Sequence, residues 1–279
     1  MSAVIKLSAP ATRGFWEIPV LFEDEHLLAL DKPASLLTSP DRYDAERPNL
    51  MKLLHAGVEA AKPWARERNL TYLSNAHRLD FETSGVILLA KSKPVLVALA
   101  DQFGAEKPRK KYIALVQGVP EKDQFTVEEK ISQHPLKTGM MRVDPKGGKK
   151  SKTDFEVLEK FSKWSLLRCL PLTGRTHQIR IHLKHAGFPI VADELYGGKS
   201  FWLSRIKRDY RLKAGREERP LMGRVALHAE ELVIEHPVTK EPVVIKSEWP
   251  KDIRVTVKYL RQFASGSQQS HSDFSDFEE

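Results

Sequence analysis

The period of the apolar positions changes several times along the chain, and each change marks an element. IPVLFEDEHLLALDKP, residues 18–33, holds two apolar runs around an acidic turn and predicts two short strands, ended by Pro33. NLMKLLHAGVEAA, residues 49–61, spaces Leu50, Leu53, Leu54 and Val58 as one helical face, with Asn49 as its cap. GVILLAKS predicts a mostly apolar strand. KPVLVALADQFGAEKPRK predicts a helix stopped by Gly104 and Pro108, and KKYIALVQG a strand closed by a glycine.

Residues 117–152 read as turn-rich and end in a basic loop, PKGGKKSK. KTDFEVLEKF and WSLLRCLPL follow as paired strands. TGRTHQIRIHLKHAGFPIV satisfies two periods. Ile179, Ile181 and Leu183 alternate as in a strand, whereas Ile179, His182, Leu183 and Ala186 share a helical face. Thr173 near its start, with Gly187 and Pro189 past its end, decides for a helix. The stretch 199–219 is a basic insertion without a clear face, and VALHAEELVIEHPVTKEPVVIKSEWP predicts a hairpin turning at HPVTKEP. Strands and helices mix without regular alternation, so the expected class is α+β. One domain is expected over 18–263, after an N-terminal extension (1–17) with a loose start. The Ser-rich, acidic tail, 264–279, is expected to be disordered.

Composition narrows the partner. The chain has 279 residues, of which 41% are hydrophobic, enough for a sizeable core. Its 45 Lys and Arg against 37 Asp and Glu give a net charge of +8, which suits a polyanion, most simply nucleic acid. Cys169 is the only cysteine, so neither an internal disulfide nor a cysteine-rich zinc site is available. No signal peptide or membrane span is legible, and the expectation is a soluble, cytoplasmic monomer.

Three segments carry candidate chemistry. HRLDFETSG at 77–85 sets an imidazole, a guanidinium and a carboxylate within four residues at the mouth of a strand. An R-x-D pair in isolation is usually a weak surface ion pair. The order of residues and the missing phosphate loop exclude a kinase. His177, His182 and His185 lack the spacing and the intervening glutamate of a zinc helix, so no metal is expected; with Arg175, Arg180 and Lys184 they read as a cationic face. RKKYIALVQG puts three cations before Tyr112, which reads equally as a strand aromatic packed in the core or as a ring at a cleft edge that stacks on a base, with phosphates held nearby. The loops KGGKKSK and RIKRDYRLKAGREER add basic surface.

HRLDFETSG, KKYIALVQG and TGRTHQIRIHLKHAGFPIVADELYG, in this order, resemble the signature of the RluA-type RNA pseudouridine synthases. DKPAS near Lys32 and ALHAEELVIEHP near His228 fit the same pattern, over roughly residues 18–252. Two departures stand out: Ser35 occupies a position usually held by glycine, and the basic insertion is longer. No counterpart of the N-terminal helical RNA-binding domain of many relatives is expected before residue 18. The resemblance implies a pseudouridine synthase fold, a mixed, largely antiparallel sheet with flanking helices and an active-site cleft. It implies isomerisation of uridine in structured RNA, tRNA ahead of ribosomal RNA, without a cofactor. Asp80 would carry the chemistry, Arg180 would keep it ionised, and Tyr112 would lie against the uracil. Arg78 would fill the gap left by a flipped base, with His77, Lys111, Arg175 and His177 also binding RNA. The alternative is an inactive RNA-binding or RNA-folding protein on the same fold, which intact Asp80, Tyr112 and Arg180 argue against.

Overall fold

The computed structural model describes residues 3–41, 44, 46–212 and 215–265, and these form an α+β fold. Strands β1 (Val4–Ala9), β2 (Gly14–Glu23) and β3 (Leu27–Lys32) make an antiparallel meander, followed by helices α1 (Leu50–Glu59) and α2 (Pro63–Arg66). Then come β4 (Ser74–Asn75), β5 (Ser84–Ala90), α3 (Lys93–Gly104) and β6 (Arg109–Gln117). The chain continues through β7 (Gln124–Gln133), β8 (Met141–Val143), β9 (Lys149–Lys160), β10 (Trp164–Pro171) and α4 (Gln178–His185). Strands β11 (Leu227–Glu235) and β12 (Pro242–Lys246) and helix α5 (Lys251–Phe263) complete it. Among the described residues no helix is long and apolar enough to cross a membrane.

One twisted sheet runs in the order β1-β2-β3-β5-β11-β6-β10-β9-β7-β8, with β12 on β11 and β4 on β5. Every pairing is antiparallel except β5 with β11, at the centre. The continuous apolar runs of β3 and β5 follow from burial on both faces. Leu28, Leu30, Ile87 and Leu89 pack under α1 and α2, whereas Leu27, Ala29, Val86 and Leu88 pack against α3. Asn49 caps α1 by accepting the Lys52 N–H at 2.8 Å. Gly85 marks where β5 meets β11: its φ is +113°, and a side chain there would run into the Ala229 carbonyl.

Three expectations need correction. Residues 3–17 are not loose, because β1 completes the sheet and buries Ile5 and Leu7. The stretch 117–152 is not turns throughout, because the ten-residue β7 pairs with β9 from Gln124 to Ile131 and then with β8. Inward Val127 and Ile131 are separated by half-buried Glu129, which hides the period of two. The end of the domain extends past 263: Ala264 is buried and Ser265 bridges Phe161, while the rest of the expected tail, from 266 on, lies outside the described residues. The basic insertion is anchored by a bridge between Phe201 and Met222. Ser35 takes φ +59°, the left-handed region that glycine enters freely, at a cost of about 1–2 kcal/mol for a side chain.

Candidate functional site

The central β5–β11 junction is also where chemistry collects. The loop after β4 delivers Arg78 and Asp80 beside the start of β5, and β6, two strands away, delivers Tyr112. Between them and the turn before α4 lies a cleft of about 370 Å³, lined by Arg78, Asp80, Lys110, Tyr112, Arg175 and Arg180 among others. That volume falls in the range of small-molecule sites.

Helix α4 begins from a strained turn. His177 takes φ +54° at its N-terminus. Gln178 holds the turn: its Oε1 accepts the Thr173 hydroxyl (2.6 Å) and the Arg175 N–H (3.0 Å), and its Nε2 donates to the Lys152 carbonyl (3.0 Å). A non-glycine residue held there costs of order 1–3 kcal/mol, and such strain clusters at working sites. The turn aims His177 into the cleft, and the first turn of α4 places Arg180 beside it.

Arg180 has two acidic neighbours, unequal in geometry. Its Nε and Nη2 each donate to Asp193 at 2.7 Å, a bidentate pair in which Asp193 is fully buried. Its Nη1 stands 3.7 Å from Asp80 Oδ2. Burial works against the charge of Arg180; the hydrogen bonds and charge of Asp193 override it, and Asp80 adds to them, so the guanidinium is held above its ordinary value. The expected Arg180–Asp80 pairing is thus the looser of two, and Asp193 is the partner that sequence reasoning missed. Its one signal was its place in ADELYG, inside a motif already singled out.

Tyr196, three residues beyond Asp193 and 1% exposed, ties these groups together. Its ring lies 5.1 Å from the Arg180 guanidinium. Its oxygen accepts the Met141 N–H at 2.9 Å, which leaves the phenolic proton for His177 Nδ1, also at 2.9 Å. Burial pushes His177 below its ordinary value, so the ring is neutral at pH 7. The hydrogen-bond network then assigns its proton to Nε2, which faces Asp80 Oδ1 at 4.0 Å.

The other expected residues divide. Tyr112 lines the cleft; burial first, and then the charge of Asp80, push its hydroxyl up, so it stays a neutral phenol. Arg78 is exposed at the mouth and makes no side-chain hydrogen bond or ion pair among the described residues. Arg175 lines the wall and donates to the Lys150 carbonyl at 3.1 Å. Lys111 is corrected: strand alternation puts Lys110 and Tyr112 in the cleft and turns Lys111 to the other face, where it pairs with Glu231 at 2.8 Å. Of the three cations before Tyr112, Lys110 is the one that lines the cleft, and it donates to the Thr173 carbonyl at 3.1 Å.

His77 also differs from expectation. Its Nε2 accepts the Leu88 N–H at 3.1 Å and its ring stacks on Phe103, so it extends the β4–β5 ladder and offers phosphate no charge. Burial lowers it to about 4, as it does His182, whose ring bridges Ser151 and Thr153 at 2.9 Å, and His228, beside Ser84 at 3.0 Å. These folded values lie below the unfolded value of about 6.5. As pH falls the unfolded chain protonates first, so this stability is complete above pH 6.5 and is lost toward pH 4. Each of the three should contribute up to about 1.4 kcal/mol per pH unit across that window. Thermal melts from pH 7.5 to 4 should show the fall, and His182→Asn should make it shallower; parallel curves would contradict a neutral, buried His182.

The chain matches the model of the RNA pseudouridylate synthase family over residues 26–185. It is 34% identical to the ribosomal large subunit pseudouridine synthase C of Escherichia coli strain K12 over 244 residues, which is 87% of this chain and 70% of the relative. It is 35% identical to the ribosomal large subunit pseudouridine synthase D of Nitrosomonas europaea over 251 residues, 90% of this chain and 67% of the relative. Among solved structures, human RNA pseudouridylate synthase domain containing 4 superposes with a TM-score of 0.65 at 22% identity, over 87% of this chain and 92% of that one. The human domain-containing 1 protein gives 0.60 at 23%, over 89% and 96%. The fold is shared with both.

Proposed function

The chain belongs to the RNA pseudouridylate synthase family, and from that premise we propose that Asp80 is the catalytic carboxylate of this RNA pseudouridine synthase. The isomerisation breaks the bond from uracil N1 to ribose C1′, rotates the base, and joins C1′ to C5; a proton leaves C5 and N1 gains one. It requires an ionised carboxylate beside the ribose, as nucleophile at C1′ or as base on the sugar, in a site that keeps water from the cleaved pair. One observation carries the assignment: Asp80, 19% exposed at the cleft, faces Arg180 at 3.7 Å and His177 at 4.0 Å. Its own oxygens stay open to a substrate, because Asp193 holds the guanidinium. Tyr112 supplies a ring against which uracil packs.

The cleft accepts a base only once it leaves its stack, at a cost of a few kcal/mol. Arg78 is proposed to occupy the vacated space, being exposed and two residues from Asp80. Phosphates are proposed to follow Lys110 and Arg175 along the wall toward Lys150 and Lys152 of β9. The relatives named for the ribosomal large subunit favour ribosomal RNA over tRNA as the target. Mapping pseudouridine in both RNAs with and without the protein tests this: the missing modification should lie in ribosomal RNA, and a change confined to tRNA would reverse the order.

Arg78→Ala isolates base flipping from the chemical step. Turnover should fall about 10- to 100-fold on a uridine in a stable stem, where extrusion costs most, and far less on a floppy single strand. The assay is release of tritium from C5-labelled uridine. Equal losses on both substrates would place Arg78 in the chemical step or the fold.

A further inference from the structure

We infer that Thr38 is a positioning residue that sets the distance between Arg78 and Asp80, an inference that rests on the site proposed above. The Thr38 side chain, 3% exposed, makes a two-point clamp on one residue of the HRLDFETSG loop. Its hydroxyl donates to the Leu79 carbonyl at 2.9 Å and accepts the Leu79 N–H at 3.1 Å. Leu79 is the residue between Arg78 and Asp80. Its side chain is buried, while both neighbours face the cleft.

The clamp is itself anchored. The Thr38 carbonyl accepts the Met51 N–H at 3.1 Å and the Leu37 carbonyl accepts the Leu50 N–H at 2.8 Å, so the start of α1 fixes the segment that carries the hydroxyl. Upstream, the fully buried Lys32 donates to the Pro33 carbonyl at 2.8 Å and the Leu36 carbonyl at 2.7 Å, which folds the DKPAS turn under it. On the other side of Arg78, Asn75 Nδ2 donates to the His77 carbonyl at 2.9 Å. The backbone around Arg78 and Asp80 is thereby held at residues 77 and 79, while both side chains stay free to meet RNA. Helix α1 and the cleft have no other link as direct among the described hydrogen bonds. The clamp ties the placement of two functional side chains to a packed helix instead of to a surface loop.

Misplacing a reacting group by about 1 Å costs roughly 10²-fold in rate. Thr38→Val keeps the shape and removes both hydrogen bonds. It should lower kcat for tritium release by roughly 10²-fold, with KM for RNA within about threefold, because phosphate contacts are untouched. Thr38→Ser, which keeps the hydroxyl, should restore kcat to within about threefold. Where Thr38→Val does not fold, Thr38→Ala, which leaves room for a bridging water, should show a smaller loss in the same direction. A folded variant without the hydroxyl that keeps wild-type kcat would overturn the inference, as would a loss confined to KM or one that serine does not repair. Asp80→Asn in the same assay separates the two readings. If it turns over, the proposed site is wrong; if it is dead while Thr38→Val is fully active, only the clamp is wrong.

Discussion

Asp80→Asn should lower pseudouridine formation by about a thousandfold or more while RNA affinity stays within a few-fold. The substitution is close to isosteric, and its one amide oxygen can still face a donor, Arg180 or His177, so the cleft keeps its shape. What it loses is the negative charge beside Arg180 and His177 on which the proposed chemistry depends. A missing covalent or basic catalyst costs on the order of 10³-fold or more. Binding is proposed to be carried elsewhere, by Lys110, Arg175 and the cations of β9, because phosphate contacts dominate affinity for RNA. Tritium release and a filter-binding isotherm on the same RNA give the two numbers. Residual turnover above about one part in a thousand would remove Asp80 from the essential role.

The loop that holds Asp80 is legible from the chain because its signals are local. A compact polar motif stands directly before an apolar strand, and Gly85 ends it for a steric reason that is visible once β11 lies alongside. Helix α4 is legible for the same kind of reason, through Gly187 and Pro189 at its end. Long-range partners are a different matter. Asp193 reaches Arg180 because the chain after α4 folds back over it, and Thr38 reaches Leu79 across 41 positions. No period or spacing encodes either contact. Lys111 is instructive in another way: three successive cations precede Tyr112, and only the register against β11 decides which faces the cleft. His77 shows the same limit, since a ring that substitutes for a strand carbonyl looks in sequence like any histidine beside an arginine.

Asp193→Asn should destabilise the fold and slow the reaction together, although Asp193 lies one residue removed from the proposed chemistry. Arg180 is 7% exposed and Asp193 fully buried, so removing the carboxylate leaves a guanidinium with no adequate counter-charge. Breaking such a pair costs about 3–5 kcal/mol, which for a domain of this size is roughly 10 °C in melting temperature. Arg180 can recover part of that by turning onto Asp80, 3.7 Å away. The recovery is itself damaging, because an Asp80 locked in a bidentate pair is no longer open to the ribose. The kinetic loss should therefore appear in kcat, by about 10²-fold or more, with little change in KM. Arg180→Met should be unstable for the mirror reason, since it strands Asp193. Combining Arg180→Met with Asp193→Asn removes both buried charges, and the double variant should melt above either single variant while remaining inactive. A double variant whose destabilisation equals the sum of the two singles would show that the pair does not couple, and the division of Arg180 between a structural and a reacting carboxylate would fall with it.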